Sequence, residues 1–190
     1  MANCQCQCDY HTGISFVKVR DVKTPARGTP QSAGIDFFVP EYNEQFLEDL
    51  KKTNLEWFEW TQDRRDDFRN VEFNENYLIV HPSGRIRISS GIHVKIPKNY
   101  MLTAFNKSGV ATKHGLDVLA CVVDSDYQGE INLSLTNTSP YPVVIDYGQK
   151  LVQFILMPVL LVEPKELKDL ESLHPVQTER GAGGFGSTGV

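Results

Sequence analysis

Short runs of alternating hydrophobic and polar residues, separated by turns rich in Gly, Pro and Asn, cover most of this 190-residue chain. Alternation with a period of two is the pattern of β-strands that bury one face. The predicted strands are Ile14–Val19, Ile35–Val39, Tyr77–Val80, Arg85–Ile88, His93–Ile96, Met101–Phe105, Leu116–Val123, Glu130–Leu135, Val143–Ile145 and Leu151–Leu161. The pattern predicts an all-β fold, built as a sandwich or a barrel.

Two of the predicted strands, Leu116–Val123 and Leu151–Leu161, are apolar almost throughout. A continuous apolar run predicts a strand that is buried on both faces, and it predicts a buried thiol for Cys121. Pro158 has no N–H to donate to a sheet, so the second run is expected to contain an edge or a bulge.

Residues 41–70 interrupt the β-pattern with nine acidic and five basic residues. Phe46 and Leu50 are spaced as on one face of a helix, and Thr53-x-x-Glu56 has the form of a capping box that starts a second helix. We predict a charged helical insert here. It either covers part of a sheet or, because it carries two tryptophans, binds a protein partner.

The net charge of −5 leaves no basic field for a general nucleic-acid binder. No apolar run reaches the length of about 18 residues that a membrane helix needs, and the N-terminus lacks a basic segment followed by an apolar one. We therefore expect a cytoplasmic protein that binds neither nucleic acid nor membrane.

The start of the chain contains three alternate cysteines, Cys4, Cys6 and Cys8, with His11 nearby. They form either a metal clip or part of a reduced, flexible leader. The spacing lacks the two-residue gap of common zinc knuckles, and no second cluster completes four ligands. Residues 1–12 are therefore expected to be a leader.

The last eleven residues, 180–190, contain five glycines, which cannot build a core of side chains. Glycine lets successive backbone N–H groups approach phosphate oxygens closely. Arg180 can add a bidentate donor for a phosphate, and Phe185 can add a flat face for a base. The segment is either a mobile arm that closes over a nucleotide or a flexible Gly/Ser tail.

Four further segments carry polar side chains in turns and at strand ends: Ser32–Asp36, Asn106–Ala111, Val122–Glu130 and Gly148–Gln153. Each alone is a weak signal. In this order, and together with the terminal Arg-Gly-x-Gly-Gly-Phe-Gly-Ser-Thr-Gly, they resemble the five motifs of the homotrimeric dUTP pyrophosphatases (dUTPases). The unusual insert and the cysteine leader are typical of a viral or phage member.

The resemblance implies a jelly-roll-like β-barrel and a homotrimer with three active sites at subunit interfaces. The barrel domain is expected at residues 13–175, with the Gly-rich arm at residues 176–190. In the family, the first, second and fourth motifs of one site come from one subunit and the third from a neighbour. The fifth motif arrives on the arm of the remaining subunit.

The implied reaction is the hydrolysis of dUTP to dUMP and pyrophosphate with Mg²⁺, which keeps uracil out of DNA and supplies dUMP for thymidylate synthesis. By this resemblance, Asp124 activates the water that attacks the α-phosphate in line. Asp36 either holds a water of the metal ion or orders its own turn.

The resemblance also implies three groups of substrate-binding residues. They are Lys107, Ser108, Gly109 and Gln153 at the phosphates, Arg180, Gly186, Ser187 and Thr188 in the closing arm, and Val122, Val123, Tyr127 and Phe185 around the nucleoside. The hairpin backbone beside Val122 and Val123 is expected to pair with the uracil edge. Tyr127 should lie beneath the deoxyribose and exclude a 2′-hydroxyl, and Phe185 should lie over the base.

The chain departs from the family pattern at Lys107 and Lys150, where arginine is usual, at Val118, where asparagine is frequent, and at Cys121, where glycine is common. Lysine keeps the charge but loses the planar fork of arginine. None of these changes removes a group that the chemistry requires, so we predict an active enzyme.

Two other functions remain open at this point. A dCTP deaminase of the same wider family needs an acid–base glutamate, and Glu130 is the only glutamate in the third segment. Alternatively, the chain is a regulatory protein that senses a nucleotide and acts on a partner through the insert at residues 41–72.

Overall fold

Three antiparallel β-sheets form the framework of the protein in a computed structural model, which describes residues 13–54 and 71–183. The strands, in chain order, are β1 (Ser15–Lys18), β2 (Ala26–Arg27), β3 (Ile35–Phe38), β4 (Val71–Phe73), β5 (Leu78–Val80), β6 (Arg85–Lys95), β7 (Tyr100–Asn106), β8 (Leu116–Val118), β9 (Val122–Val123), β10 (Glu130–Asn137), β11 (Val143–Ile145) and β12 (Lys150–Pro158). The helices of the described residues are α1 (Glu44–Thr53), α2 (Ser108–His114) and α3 (Leu170–Leu173). The prediction of an all-β fold is confirmed.

The sheets have the strand orders β1-β6-β10-β8, β11-β5-β4 and β2-β3-β12-β7-β9. Strands that are close in sequence often lie in different sheets, as β8 lies in the first sheet and β9 in the third. Repeated crossing between antiparallel sheets is the topology of a jelly-roll-like barrel, as predicted.

Buried apolar residues alternate with partly exposed residues along the strands, and the buried ones form the core of the barrel. In β10, Ile131, Leu133 and Leu135 are fully buried, while the residues between them are partly exposed. In the third sheet, the rings of Phe37 and Phe154 contact each other with their centroids 4.6 Å apart. Each such side chain stabilises the fold by about 1.5–3 kcal/mol.

Strand β6 is longer than its sequence pattern predicts, since Arg85–Lys95 is one strand where the pattern predicts two. Ser89 and Ser90 join the two halves, and both are buried. The hydroxyl of Ser90 accepts a hydrogen bond from the backbone N–H of Ile92 at 3.2 Å. A hydroxyl that is satisfied locally can lie inside a sheet without ending the strand.

The apolar run Leu116–Val123 does not form one buried strand, and this prediction is wrong. β8 ends at Val118, and β9 begins at Val122 in a different sheet. Leu119 is 44% exposed, Val122 is 59% exposed, and Cys121 is exposed rather than buried. The chain crosses between two sheets here, so these side chains lie outside the sheet faces that the structure describes.

Helix α1 is the part of the insert that the structure describes. The side chain of Asn43 accepts a hydrogen bond from the backbone N–H of Phe46 at 2.9 Å and caps the helix. Phe46 and Leu50 are buried in the core. Asn54 ends the helix and exchanges hydrogen bonds of 2.9 and 3.0 Å with the backbone of Arg87 on β6. The helix is therefore part of the barrel core.

Thr53 is the last residue of α1, so it does not begin a second helix as its sequence pattern predicts. The predicted capping partner Glu56, the second helix and the aromatic residues Trp57, Phe58 and Trp60 lie outside the described residues. So do the cysteines of the predicted leader.

The chain divides into two compact units, Met1–Val159 and Leu160–Val190. The last predicted strand ends with β12 at Pro158, and Leu160 and Leu161 are 87% and 70% exposed in the second unit. Extended chain surrounds the short helix α3 there. Among the described residues of the second unit, apolar side chains such as Leu160 and Leu161 are thus largely exposed.

The boundary predicted between a barrel at 13–175 and an arm at 176–190 stays a prediction. Across the residues that the structure describes, no helix combines the length and the apolar character needed to span a bilayer.

We predict that Phe46→Ala lowers the free energy of unfolding by about 3–5 kcal/mol, because it deletes a fully buried aromatic side chain. Glu48→Ala, on the exposed face of the same helix, should change it by less than about 0.5 kcal/mol. Urea denaturation followed by circular dichroism, at one protein concentration, measures the free energy of unfolding of both variants. Equal, small effects of the two changes would mean that α1 is not part of the core.

Candidate active site

The first, second and fourth motif segments meet at one end of the third sheet, where β3, β12 and β7 are neighbours. Asp36 of β3 is opposite Gln153 of β12, and Gln153 is opposite Phe105 of β7. Lys107 follows β7 directly and is the N-cap residue of α2. The antiparallel register thus places three segments that are far apart in sequence side by side.

The carboxylate of Asp36 is buried and paired with two lysines. Lys107 Nζ donates to Oδ1 of Asp36, and Lys150 Nζ lies 3.2 Å from Oδ2. A buried carboxylate that lacks such partners destabilises a fold by several kcal/mol. Lys107 and Lys150 therefore stabilise the buried carboxylate within the fold itself. Their contacts with phosphate stay predictions.

Gln153 joins the first, second and fourth segments to one another. Its Nε2 donates a hydrogen bond to the backbone oxygen of Asn106 at 2.8 Å. Its side chain lies against Gly34, where an added Cβ would be 2.3 Å from Oε1 of Gln153. In this structure the side chain of Gln153 is thus bonded to backbone, and its predicted contact with phosphate stays a prediction.

Ser108 and Gly109 form the exposed start of helix α2. The first backbone N–H groups of a helix have no partner within the helix. An added Cβ at Gly109 would meet no atom within 4 Å, so the space beside it is open. The two residues are therefore accessible to a ligand, as the sequence predicts for a phosphate contact.

The third segment forms an exposed turn between β9 and β10. Asp124 is exposed, and its backbone oxygen accepts a hydrogen bond from the N–H of Tyr127 at 3.2 Å. The hydroxyl of Tyr127 donates to the backbone oxygen of Glu130 at 3.0 Å, and the side chain is 43% exposed. An added Cβ at Gly129 would lie 2.3 Å from that hydroxyl oxygen. The turn thus fixes the tyrosine beside the exposed carboxylate.

Both carboxylate oxygens of Glu130 accept hydrogen bonds within the fold. Arg20 donates from Nε and Nη2 to its two carboxylate oxygens at 2.8 and 2.9 Å, and the N–H of Gly91 donates to the first of them. A deaminase would need this carboxylate free to face its substrate. The geometry therefore gives no support to the deaminase alternative.

Asp124 does not lie near Asp36 and Lys107 within one chain. β12 and β7 stand between β3 and β9, and three strand spacings amount to roughly 14 Å. Val123 is opposite Leu102 on β7, and Lys107 follows five residues later, a distance of roughly 17 Å along the strand. One chain thus presents two separate halves of the predicted site.

The described part of the Gly-rich arm forms a local turn. Arg180 is exposed, and its Nε donates to the backbone oxygen of Gly183 at 3.0 Å. The remaining predicted residues of the arm, Phe185, Gly186, Ser187 and Thr188, lie outside the described residues. Their roles stay predictions.

Sequence analysis assigned no role to Arg20, and it listed Asn106 only as part of a motif. Arg20 contacts Glu130, which is 110 positions away, so no local pattern could indicate the pair. Asn106 Nδ2 donates to Asp117, and its Oδ1 accepts from the N–H of Val118 at 2.9 Å. It therefore joins the end of β7 to β8.

We predict that Gly34→Ala lowers the free energy of unfolding by about 1–3 kcal/mol, because the new methyl group overlaps the side chain of Gln153. Gly109→Ala is the matched control. The same methyl group enters open space in a helix there, and the change should be neutral or stabilising by up to about 1 kcal/mol. Thermal denaturation compares the two, and an equal effect of both would contradict the packing of Gln153 on Gly34.

Comparison with known proteins agrees with these motifs. A family model described as dUTPase matches residues 74–189. The deoxyuridine 5′-triphosphate nucleotidohydrolase of Hydrogenobaculum sp. (strain Y04AAS1) is 37% identical over 118 residues, which cover 61% of this chain and 78% of that relative. The protein of the same name from Paramecium bursaria Chlorella virus 1 is 39% identical over 113 residues, which cover 60% and 77%.

Solved structures of phage proteins have a similar fold. The dUTPase of Staphylococcus bacteriophage 80alpha with dUpNHpp superposes with a TM-score of 0.66 at 18% identity, over 94% of this chain and 99% of that one. The dUTPase of S. aureus phage phi11, described with a species-specific insert, gives 0.60 at 16% identity, over 84% and 99%. These likenesses establish the fold. The family model spans more than half of the sequence, and the chain therefore belongs to the dUTPase family.

Proposed function

We propose that this protein hydrolyses dUTP to dUMP and pyrophosphate. Family membership and the name that the curated relatives share support this reaction. The observation that carries it is the arrangement of the motif segments. The first, second and fourth meet around Asp36, and the third presents Asp124 and Tyr127 together at the surface.

The separation of these two groups supports an active site that is shared between copies of the chain. Asp124 and Lys107 lie at different ends of β7, too far apart to contact one phosphate chain within a single copy. In a trimer, the Asp124 turn of one subunit would face the Lys107 end of its neighbour. Leu119 and Val122 are exposed beside that turn, and a neighbouring subunit would cover them.

Asp124 is the residue that we assign to activation of water. Its side chain is exposed at the end of β9, so it can orient a water toward the α-phosphorus and accept its proton. The oxygen of that water attacks the α-phosphorus in line, and the bond between the α-phosphorus and the oxygen that bridges it to the β-phosphorus breaks. Pyrophosphate leaves with the charge of that oxygen.

The groups around α2 would hold the leaving pyrophosphate. Lys107 supplies a cation, Ser108 a hydroxyl, and Gly109 a backbone N–H at the open end of the helix. Arg180 would add a planar donor from the arm of another copy, together with Gly186, Ser187 and Thr188. Preorganised donors of this kind stabilise charge that develops on phosphate oxygens.

The residues of the Lys107 end are compatible with a magnesium ion that arrives with the triphosphate. No three or more His, Cys, Asp or Glu side chains of the described ranges cluster into a protein cage. Mg²⁺ is usually held by one or two carboxylates together with substrate phosphates and water, and Asp36 offers such a carboxylate. The ion would neutralise charge on the phosphate oxygens, with Asp36 holding one of its waters while Lys107 and Lys150 keep Asp36 in place.

Selection of the nucleoside rests on the third segment. Tyr127 is fixed by its hydrogen bond to Glu130, so its ring can form a rigid wall beneath the deoxyribose. The backbone beside Val122 and Val123 would pair with uracil, and Phe185 of the arm would cover the base. A site of this kind discriminates strongly, because a wrong nucleoside leaves buried polar groups unpaired.

Binding of a protein partner through residues 41–72 stays a separate proposal. Helix α1 buries Phe46 and Leu50 in the core, so within this helix only the opposite face, with Glu48 and Lys52, is open to a partner. The name of one neighbouring structure links the 80alpha dUTPase to control of virulence-gene transfer, which is a property of that protein.

We expect the wild-type protein with Mg²⁺ to release pyrophosphate rapidly from dUTP, and far more slowly from dCTP, dTTP and UTP. Asp124→Asn should lower kcat by at least about a hundredfold, since it removes the general base. Asp126→Asn changes an exposed carboxylate of the same turn and should leave kcat within about twofold. Equal activity of the two variants would contradict the assignment, and release of ammonia from dCTP would favour a deaminase.

A further inference from the structure

Arg20 lies outside the motif segments, at the centre of an ion cluster. Its guanidinium donates from Nε and Nη2 to both carboxylate oxygens of Glu130, at 2.8 and 2.9 Å, and from Nη1 to Asp49 of helix α1 at 2.8 Å. The side chains of Arg20, Glu130 and Asp49 are 15%, 17% and 25% exposed. Helix α1 and strand β10, which are distant in sequence, therefore converge on one arginine.

The cluster is held more strongly than an ordinary surface ion pair. Hydrogen bonding to Glu130 raises the pKa of Arg20 above its usual range, although burial opposes the shift. Burial alone would raise the pKa of Asp49, but hydrogen bonds from Arg20 and Gln45 outweigh it and lower that pKa. A planar fork that satisfies two carboxylates at once is geometry that lysine cannot reproduce.

Glu130 connects this cluster to the nucleotide half-site. Its carboxylate is fixed by Arg20 and by the N–H of Gly91 on β6. Its backbone oxygen accepts the hydroxyl of Tyr127 at 3.0 Å and the amide of Asn132 at 2.9 Å. The register between β10 and β6 shifts at this point, so the regular ladder does not fix Glu130 by itself. The side-chain contacts supply the missing constraint.

We propose that Arg20 is a positioning residue for sugar selection, which couples helix α1 to Tyr127 through Glu130. The proposal rests on the proposed function, in which Tyr127 lies against the deoxyribose. The connection runs from Asp49 through Arg20 to Glu130, and from its backbone oxygen to the Tyr127 hydroxyl. To exclude one hydroxyl group, the ring of Tyr127 must be positioned to within a fraction of an ångström. If Glu130 is held less firmly, the position of the Tyr127 ring varies more, and discrimination between the two sugars falls.

The first test measures kcat and KM for dUTP and for UTP in Arg20→Lys and Asp49→Asn. We define the sugar selectivity as kcat/KM for dUTP divided by kcat/KM for UTP. Arg20→Lys should lower this ratio by about tenfold, because the variant loses at least one charge-assisted hydrogen bond. Asp49→Asn should lower it by about threefold, since Glu130 remains paired. In the double variant the two effects should be less than additive, because both act through one cluster.

Glu48→Gln is the matched control for the substitution at Asp49. It removes an exposed carboxylate of the same helix. Within the described ranges, that carboxylate pairs only with Lys52, at 3.8 Å. The ratio should be unchanged in this variant. An unchanged ratio in Arg20→Lys, at a temperature where the variant is folded, would overturn the proposal and leave Arg20 a purely structural role.

Hydrogen exchange on the nucleotide-free protein tests the same positioning without any turnover. Arg20→Lys should speed exchange of the backbone amides between residues 124 and 132 by about tenfold relative to Glu48→Gln. If the wild type fails to hydrolyse dUTP, the proposed function is wrong, and this exchange still decides whether Arg20 holds the turn. Equal exchange in both variants would contradict the coupling.

Discussion

The buried carboxylate of Asp36 is the constraint on which one half of the site depends. A carboxylate at this depth requires cationic partners, and Lys107 and Lys150 come from the second and fourth motif segments to supply them. Strand pairing of β3, β12 and β7 brings those segments into reach. Gln153 completes the arrangement by packing on Gly34 and bonding to Asn106. The groups that we propose to bind phosphate are thus placed by interactions within the fold itself.

The other half of the site is built independently, and the sheet keeps the two halves apart. Asp124 and Tyr127 belong to a turn that is fixed by Glu130 and Arg20, on the far side of β12 and β7 from Asp36. This separation gives a physical reason for assembly, because complementary halves on different copies can meet at an interface where halves on one copy cannot. The apolar residues exposed beside the turn agree with that account.

The sequence pattern predicts most strands, since alternation reports which face of a strand is buried. It fails at Leu116–Val123, because an apolar run does not show whether its side chains are buried within the sheets of the same chain, and here Leu119 and Val122 are exposed. It also splits β6 at Ser89 and Ser90, whose local hydrogen bonding has no sequence signature. The motif residues were found through family resemblance. Arg20 was missed because its partner is 110 positions away, and such a contact exists only once the chain has folded.

Subunit complementation tests the shared site most directly. Asp124→Asn and Ser108→Ala proteins, each with low activity, are unfolded together in equal amounts and refolded as mixed trimers. The account predicts recovery of roughly a quarter of the wild-type dUTP hydrolysis, because that share of interfaces joins an intact Ser108 end to an intact Asp124 turn. Each variant refolded alone is the control. Activity in the mixture no greater than the mean of those controls would show that the site lies within one chain.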